Sequence, residues 1–503
     1  MAVYTLIISL VLLLPVLLFL LKRKAKDRRE QKQLPPSPPA LPILGNLHQI
    51  GAIPHSSFWQ LSKKYGPILL LHLGRIPVLL VSSAKAAREV LKVHDLACCS
   101  RPQLTGSRKL TYNFLDIGFS PYSENWREMR KITVLELFSP KRVQSFRFIR
   151  EEEVAYLMDL ITQSAVSAAP VDLGDKIFSL TGSILFRMSF GKSLRGSNLD
   201  LKKLVHEVET VLGGFTANEY FPYVGWILDM ITRIDAKVEK VFKKIDSVFQ
   251  QVVNDHLKLG RTEKHQDIID VLLATQRGQT DQEETIQQKK DRIKAVLLNI
   301  FLGGIDTTAI TVLWAMTELV RKPRLIKKAQ DEIRNCVGKK GRVTEDDLDQ
   351  LQYLKMVVKE TLRLHPPAPL LIPRETMSPC KIGGYDINPK TIIQINVWAI
   401  ARDPQYWKNP EEFFPERFAD NSVDFKGQNF EFLPFGSGRR GCPGVLMGVI
   451  TTELLLANLL YCFDWKVPDG MKEEDIDMEE EVGVSLTVGK KMPLLLVPVC
   501  YLQ

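Results

Sequence analysis

The sequence is poor in paired cysteines and in secretory signals. Its seven cysteines, Cys98, Cys99, Cys336, Cys380, Cys442, Cys462 and Cys500, form no CxxC pair and follow no regular spacing across 503 residues. That excludes a small disulfide scaffold and favours a reducing compartment. The chain also lacks any Asn-x-Ser/Thr acceptor, which fits a body that never enters the secretory lumen. It shows no internal repeat and no low-complexity linker after residue 42. With 45% hydrophobic and 25% charged residues, disorder and collagen-like structure are excluded and a large core is within reach.

Charge of one sign is scarce everywhere except at one place. The formal net charge is +9, and the stretch from Lys22 to Gln33 (KRKAKDRREQKQ) carries seven Lys/Arg against two acids. More than half of the excess therefore sits in twelve residues, which is a juxtamembrane strip and no nucleic-acid footprint. Ahead of it, Met1 to Leu21 has no charged side chain, and such a run reaches roughly 30 Å as a helix, the thickness of a bilayer's hydrocarbon core. No basic region precedes it and no small-residue cleavage signal follows, so a retained anchor is expected rather than a cleaved signal peptide. The positive flank then holds the body on the cytosolic side. Five prolines between Pro35 and Pro42 predict a semi-rigid extended linker. The expected organisation is an anchor at 1–21, a basic and proline-rich linker at 22–42, and one large domain at 43–503.

Within that domain, Ile68–Leu73 and Val78–Ser82 flank Gly74-Arg75-Ile76-Pro77 and predict a hairpin. Helical periodicity follows at Ala84–Val93, Trp126–Leu137, Glu151–Ser164, Ile234–Leu257 and Pro323–Val337. The longest apolar run, about Gln288 to Arg321, is long enough for a second membrane span, but Asp306 at its centre, two glycines and several threonines favour a core helix. Turn-rich pieces around Gly383-Gly384 and Asn388-Pro389 predict minor sheet. The expected fold is mainly α with a small β portion.

The chemistry concentrates in Pro434-Phe435-Gly436-Ser437-Gly438-Arg439-Arg440-Gly441-Cys442-Pro443-Gly444. Glycines let backbone approach a flat group and turn amides toward the sulfur, and a helix beginning at Val445 favours a thiolate at Cys442. A lone cysteine is usually a buried free thiol. The five fixed positions of Phe-x-x-Gly-x-Arg-x-Cys-x-Gly arise by chance in on the order of one chain in ten thousand of this length, which outweighs that reading. The loop is similar to the heme-binding loop of the cytochrome P450 superfamily, and the chain resembles the plant A-type group over essentially its whole length, beginning with Leu34-Pro35-Pro36-Ser37-Pro38.

The resemblance implies a P450 fold, a heme b cofactor with Cys442 as axial thiolate and metal ligand, and Phe435 and Gly438 beside it. It implies that Glu360 and Arg363, in Glu360-Thr361-Leu362-Arg363, join Arg417 in a buried structural network. It places Asp306 and Thr307, in Gly303-Gly304-Ile305-Asp306-Thr307-Thr308, at the site of oxygen activation, where an acid and an alcohol relay protons. Many plant members have Ala and Thr where this chain has Gly303 and Ile305. Trp126, Arg130, Arg374 and Arg440 are implied partners of the heme propionates, which need cations in an apolar pocket. Substrate-pocket positions implied are Phe114, Ile117, Phe215 to Tyr220, Ile305, Ala309, Leu370, Leu371 and Val484. The implied activity is insertion of one oxygen atom of O₂ into a small lipophilic substrate of plant specialised metabolism. Electrons come from NADPH through a separate membrane flavoprotein reductase, with cytochrome b-five as an accessory donor, docking near Lys131 and Arg439 at the endoplasmic reticulum membrane. Two other readings stay open: a heme-thiolate enzyme that rearranges or dehydrates an oxygenated substrate, and a non-enzymatic heme-binding protein.

Overall fold

A computed structural model describes residues 33–195, 200–258, 266–277, 285–483 and 485–501. The expected anchor at Met1–Leu21, most of the basic strip and Val484 lie outside the described residues. The proline-rich segment is fastened to the body through Pro36 and Pro38. Pro36 O accepts from Leu70 N at 2.9 Å, and buried Asn46 donates through Nδ2 to Pro38 O at 3.3 Å.

The small sheet stands at one side of the helical body. Strands β1 (Ile68–Leu73) and β2 (Ile76–Val81) form the expected hairpin, with Leu70 opposite Leu79. Strand β2 also pairs in parallel with β4 (Ile392–Ile395), which carries the short edge strand β3 (Arg374–Glu375) on its other side. The pairing of Arg374 with Ile393 fixes where that arginine stands.

Each expected helix forms. Pro323–Val337 matches its predicted bounds, while Ala84–Arg88 and α1 (Glu124–Ile132) each finish in a wider π-type turn, Glu89–Val93 and Thr133–Leu137. Ser123 Oγ caps α1 by accepting from Trp126 N at 3.1 Å. The helices α2 (Leu173–Phe190), α3 (Leu201–Gly213) and α4 (Gly225–Thr232) follow. Around α4 the surface is apolar and open: Tyr223 is 72% exposed, Met230 65% and Ile231 68%.

The long apolar run forms two helices rather than one, α5 (Ile286–Gly304) and α6 (Asp306–Val320), which meet at Ile305. Thr307 Oγ1 donates to Gly303 O at 2.6 Å. That hydroxyl competes for a carbonyl the ladder would otherwise use, and with two glycines it loosens the turn. Two thirds of the pair's most apolar window is buried, and α6 packs against α2, α7 (Gln352–Leu364) and α8 (Val445–Cys462). Residues Ile286–Val320 are thus the molecule's core, as expected over a second span.

Helix α8 carries one uncomfortable group. Glu453 is buried, and burial pushes its carboxyl up to about 7. Between the ordinary glutamate range and that value, the unfolded chain has released a proton that the folded chain still holds, so stability falls as pH rises through this window. Glu453→Gln should therefore raise Tm more at pH 8 than at pH 5, with a gain on the order of 2–3 kcal/mol at the higher pH. Equal gains at both pH values in thermal unfolding would contradict it.

Candidate active site

The residue pattern before α8 folds as a tight loop. Cys442 N donates to Phe435 O at 2.9 Å and Gly441 N to Gly438 O at 3.0 Å, so the loop closes on itself just ahead of the helix. Gly438 sits at φ +71°, and a Cβ there would stand 2.4 Å from Leu91 O. No other residue fits that position. Asp95 ties the loop down by accepting from Arg439 N at 2.9 Å and from Arg374 Nη1 at 2.8 Å, while Arg374 Nη2 donates to Ser437 O at 2.8 Å.

The Cys442 side chain is surrounded by protein yet exposed, because it opens into an internal cavity of about 310 Å³. Burial pushes its thiol up, and the Gly444 amide and the Arg130 charge oppose that push. The same cavity is lined by Gly303, Gly304, Thr307, Thr308 and Thr311, one face of the broken helix. The two glycines differ. A Cβ on Gly304 would meet Leu185 Cδ1 at 2.5 Å, so this glycine permits the crossing with α2, whereas a Cβ on Gly303 would enter open space. Phe435, Leu371, Ile372, Val358 and Leu362 make much of the remaining wall apolar.

Four arginines edge the same cavity: Arg101, Arg130, Arg374 and Arg440. Arg440 donates to Cys99 O at 2.7 Å and Ser120 O at 2.6 Å and lies over the Trp126 ring at 3.8 Å. Arg101 Nε donates to Gly118 O at 2.8 Å and Nη1 to Pro373 O at 2.7 Å. Arg130 donates to Gly441 O. Burial pushes Arg440 down to about 9. It also pushes Arg101 well below the usual range, and the Arg440 and Arg374 charges push the same way. Such a cluster of buried cations is satisfied by an anionic group in the cavity, and two carboxylates on a flat ring beside an open sulfur meet that demand. The donor set therefore fits heme.

Glu360, Arg363 and Arg417 meet in one network. Arg363 binds Glu360 bidentately, through Nε at 2.7 Å and Nη2 at 2.9 Å, and Arg417 Nε donates to Glu360 Oε1 at 2.8 Å. Neither Glu360 nor Arg363 is exposed at all. Their remaining polar groups bind backbone: Arg363 Nη1 donates to Ala401 O at 2.7 Å and to Pro410 O at 2.8 Å, and Phe414 N donates to Glu360 Oε1 at 2.8 Å.

A family model for cytochrome P450 matches residues 35–494. The chain belongs to the cytochrome P450 family. Among similar curated proteins, cytochrome P450 71B37 of Arabidopsis thaliana is 52% identical over 493 residues, covering 97% of each chain. Cytochrome P450 71B20 of the same plant is 53% identical over 473 residues, covering 93% of this chain and 94% of its own. A zebra fish cytochrome P450 solved with abiraterone superposes with a TM-score of 0.74 at 25% identity, covering 90% of this chain and all of that one. The protein is thus a monooxygenase, in a family whose heme is held by a cysteine thiolate, and it is similar to plant members of that family.

Of the residues expected at the site, Ile117, Arg130, Thr307, Leu371, Arg374, Phe435, Arg440 and Cys442 stand in the cavity wall. Trp126 stands behind it, with its indole N–H donated to Ile117 O at 2.9 Å. The remaining expected pocket residues that are described stand elsewhere. Ile305 and Ala309 are buried in the main core on another face of the helix. Leu370 packs with Phe215 and Tyr220 against the sheet. Phe114 occupies a left-handed turn at φ +66°, with Arg108 5.5 Å from its ring. Asp306 is turned toward Thr487, which lies 2.5 Å away. Sequence reasoning missed Arg101, Asp95, Glu209 and Thr487, none of which belongs to a local motif.

Proposed function

We propose that this P450 inserts one atom of O₂ into a small lipophilic substrate, and that Cys442 would hold heme b through its thiolate. The observation that carries this reading is the Cys442 sulfur opening into a cavity that is also lined by the Gly303–Thr311 helix face. Heme held there supplies activation of O₂, so that R–H, O₂, two electrons and two protons give R–OH and water. Arg101, Arg130, Arg374 and Arg440 would hold the propionates and fix the ring's orientation. Gly303 leaves open space in the cavity wall where a side chain would otherwise stand. Thr307, in the cavity wall, keeps a proton at Oγ1, bonded to Gly303 O at 2.6 Å. The apolar wall excludes bulk water, which keeps protons on the routes the protein provides. The Glu360–Arg363–Arg417 network acts structurally, beneath the site.

Electrons are assigned to NADPH through a separate flavoprotein reductase, with cytochrome b-five as an accessory donor, and the role to plant specialised metabolism. Exposed Arg439 and Lys131 beside the cysteine loop support docking of an acidic partner there. We assign the body to the cytosolic face of the endoplasmic reticulum membrane. The apolar surface at Tyr223, Met230 and Ile231 supports contact with lipid in addition to the expected amino-terminal anchor.

The test is reconstitution with a reductase and NADPH, screening lipophilic terpenoids, phenolics and alkaloids for Soret shifts and oxygenated products. Thr307→Ala should leave heme content unchanged and lower product formed per NADPH consumed by about a hundredfold, the low end of general acid–base contributions. Unchanged coupling in Thr307→Ala would remove Thr307 from the mechanism. Conversion of a substrate without O₂ would favour a rearranging or dehydrating enzyme instead.

A further inference from the structure

Two acids meet at the cavity wall with one hydroxyl between them. Thr487 Oγ1 lies 2.6 Å from Glu209 Oε2, on α3, and 2.5 Å from Asp306 Oδ2, at the start of α6. Ser485 Oγ donates to the same Glu209 oxygen at 3.0 Å. A hydroxyl has one proton to give. Two ionised carboxylates cannot both accept it, so one acid must itself carry a proton and donate to the Thr487 oxygen. The pair therefore holds at least one proton, and any charge on the second acid stands in an enclosed place.

That charge has little to balance it. Burial first, and then the Asp306 charge, push the Glu209 carboxyl up; burial also pushes Asp306 up, and Glu481 adds repulsion. His206, exposed on α3, acts in the opposite sense on Asp306. Among the described residues, neither acid has a lysine or arginine as an ion-pair partner. Glu209 and Thr487 line the cavity, where the cluster interrupts a largely apolar surface. A buried carboxylate without a counter-ion is costly, and a cation placed beside it offsets that cost.

We infer that the Glu209–Thr487–Asp306 cluster is the polar recognition element for the substrate, and that the substrate class is a lipophilic amine whose ammonium group binds at Glu209. This inference rests on the cavity being the substrate pocket of a heme-loaded enzyme. The ammonium replaces the proton held between the two acids, so binding releases a proton to solvent.

The test compares N,N-dimethyl-2-phenylethylamine with its carbon isostere isopentylbenzene, by calorimetry on heme-loaded protein that shows the thiolate signature. The amine should bind at least about tenfold more tightly than the isostere, with proton release seen as a binding heat that depends on the buffer's ionisation enthalpy. Glu209→Gln should shrink the preference to within about twofold without changing isostere affinity. Thr487→Val, which removes the bridge and keeps the shape, should narrow it in the same direction and still decides the matter if the first variant does not fold. Equal affinities in the unsubstituted protein would overturn the inference, as would a preference that survives both substitutions. A spectrum showing the amine nitrogen on iron would do the same, and so would 3-phenylpropan-1-ol binding as tightly as the amine. Absence of the thiolate signature would instead overturn the proposed function.

Discussion

Glu360→Ala should yield almost no folded, heme-loaded protein. The substitution strips the common acceptor from Arg363 and Arg417, and Arg363 has no exposed surface through which water could replace it. A buried ion pair adds little over a well-packed apolar substitute, but removing one partner strands the other, at about 3–5 kcal/mol. Here two guanidinium groups are stranded, against a total stability of roughly 5–15 kcal/mol for a domain. The damage also spreads, because Arg363 and Arg417 hold the backbone of residues 401–412 through Ala401, Lys408, Pro410 and Glu412. The check is soluble yield and urea midpoint, alongside Arg417→Lys, which retains a charge and should lose less. Wild-type stability in Glu360→Ala would show that the network is dispensable.

Cys442→Ser should abolish activity while leaving most of the fold in place. The side chain opens into the cavity, so exchanging its sulfur for a smaller oxygen leaves the fold's packing largely intact, and the loop's own bonds run through backbone atoms of Cys442, Phe435, Gly438 and Gly441. What disappears is the only cysteine sulfur in the wall of that cavity among the described residues. The expected result is a protein of near wild-type melting behaviour with no product above background and an altered Soret spectrum. Retained product formation would move the chemistry away from this sulfur.

Much of this was legible in the sequence because the relevant physics is local. The cysteine loop sits within eleven consecutive residues whose glycines have visible conformational roles, as Gly438 shows. Helical periodicity located the core elements, and the Gly303-Gly304 pair with Thr307 marked the place where the long helix breaks. The break itself was not expected, since propensity alone does not reveal that a threonine hydroxyl will bind the preceding turn. Neighbours in sequence were harder still: Leu370 packs toward the sheet while Leu371, at φ +54°, faces the cavity. Long-range partners left no local trace. Asp306 and Thr487 are 181 positions apart, and Asp95 meets Arg374 and Arg439 only once the loop has folded over it. Arg101 is invisible as a site residue until the backbone carbonyls of Gly118, Ile372 and Pro373 gather around it.

The absorption spectrum of the reduced, carbon monoxide-treated protein tests the thiolate assignment most directly, because its Soret position reports the atom bonded to iron on the opposite face. The purified, heme-loaded protein should show the red-shifted band characteristic of cysteinate ligation, and Cys442→Ser should not. A folded, heme-loaded wild-type protein without that band, or a Cys442→Ser variant that keeps it, would contradict the account.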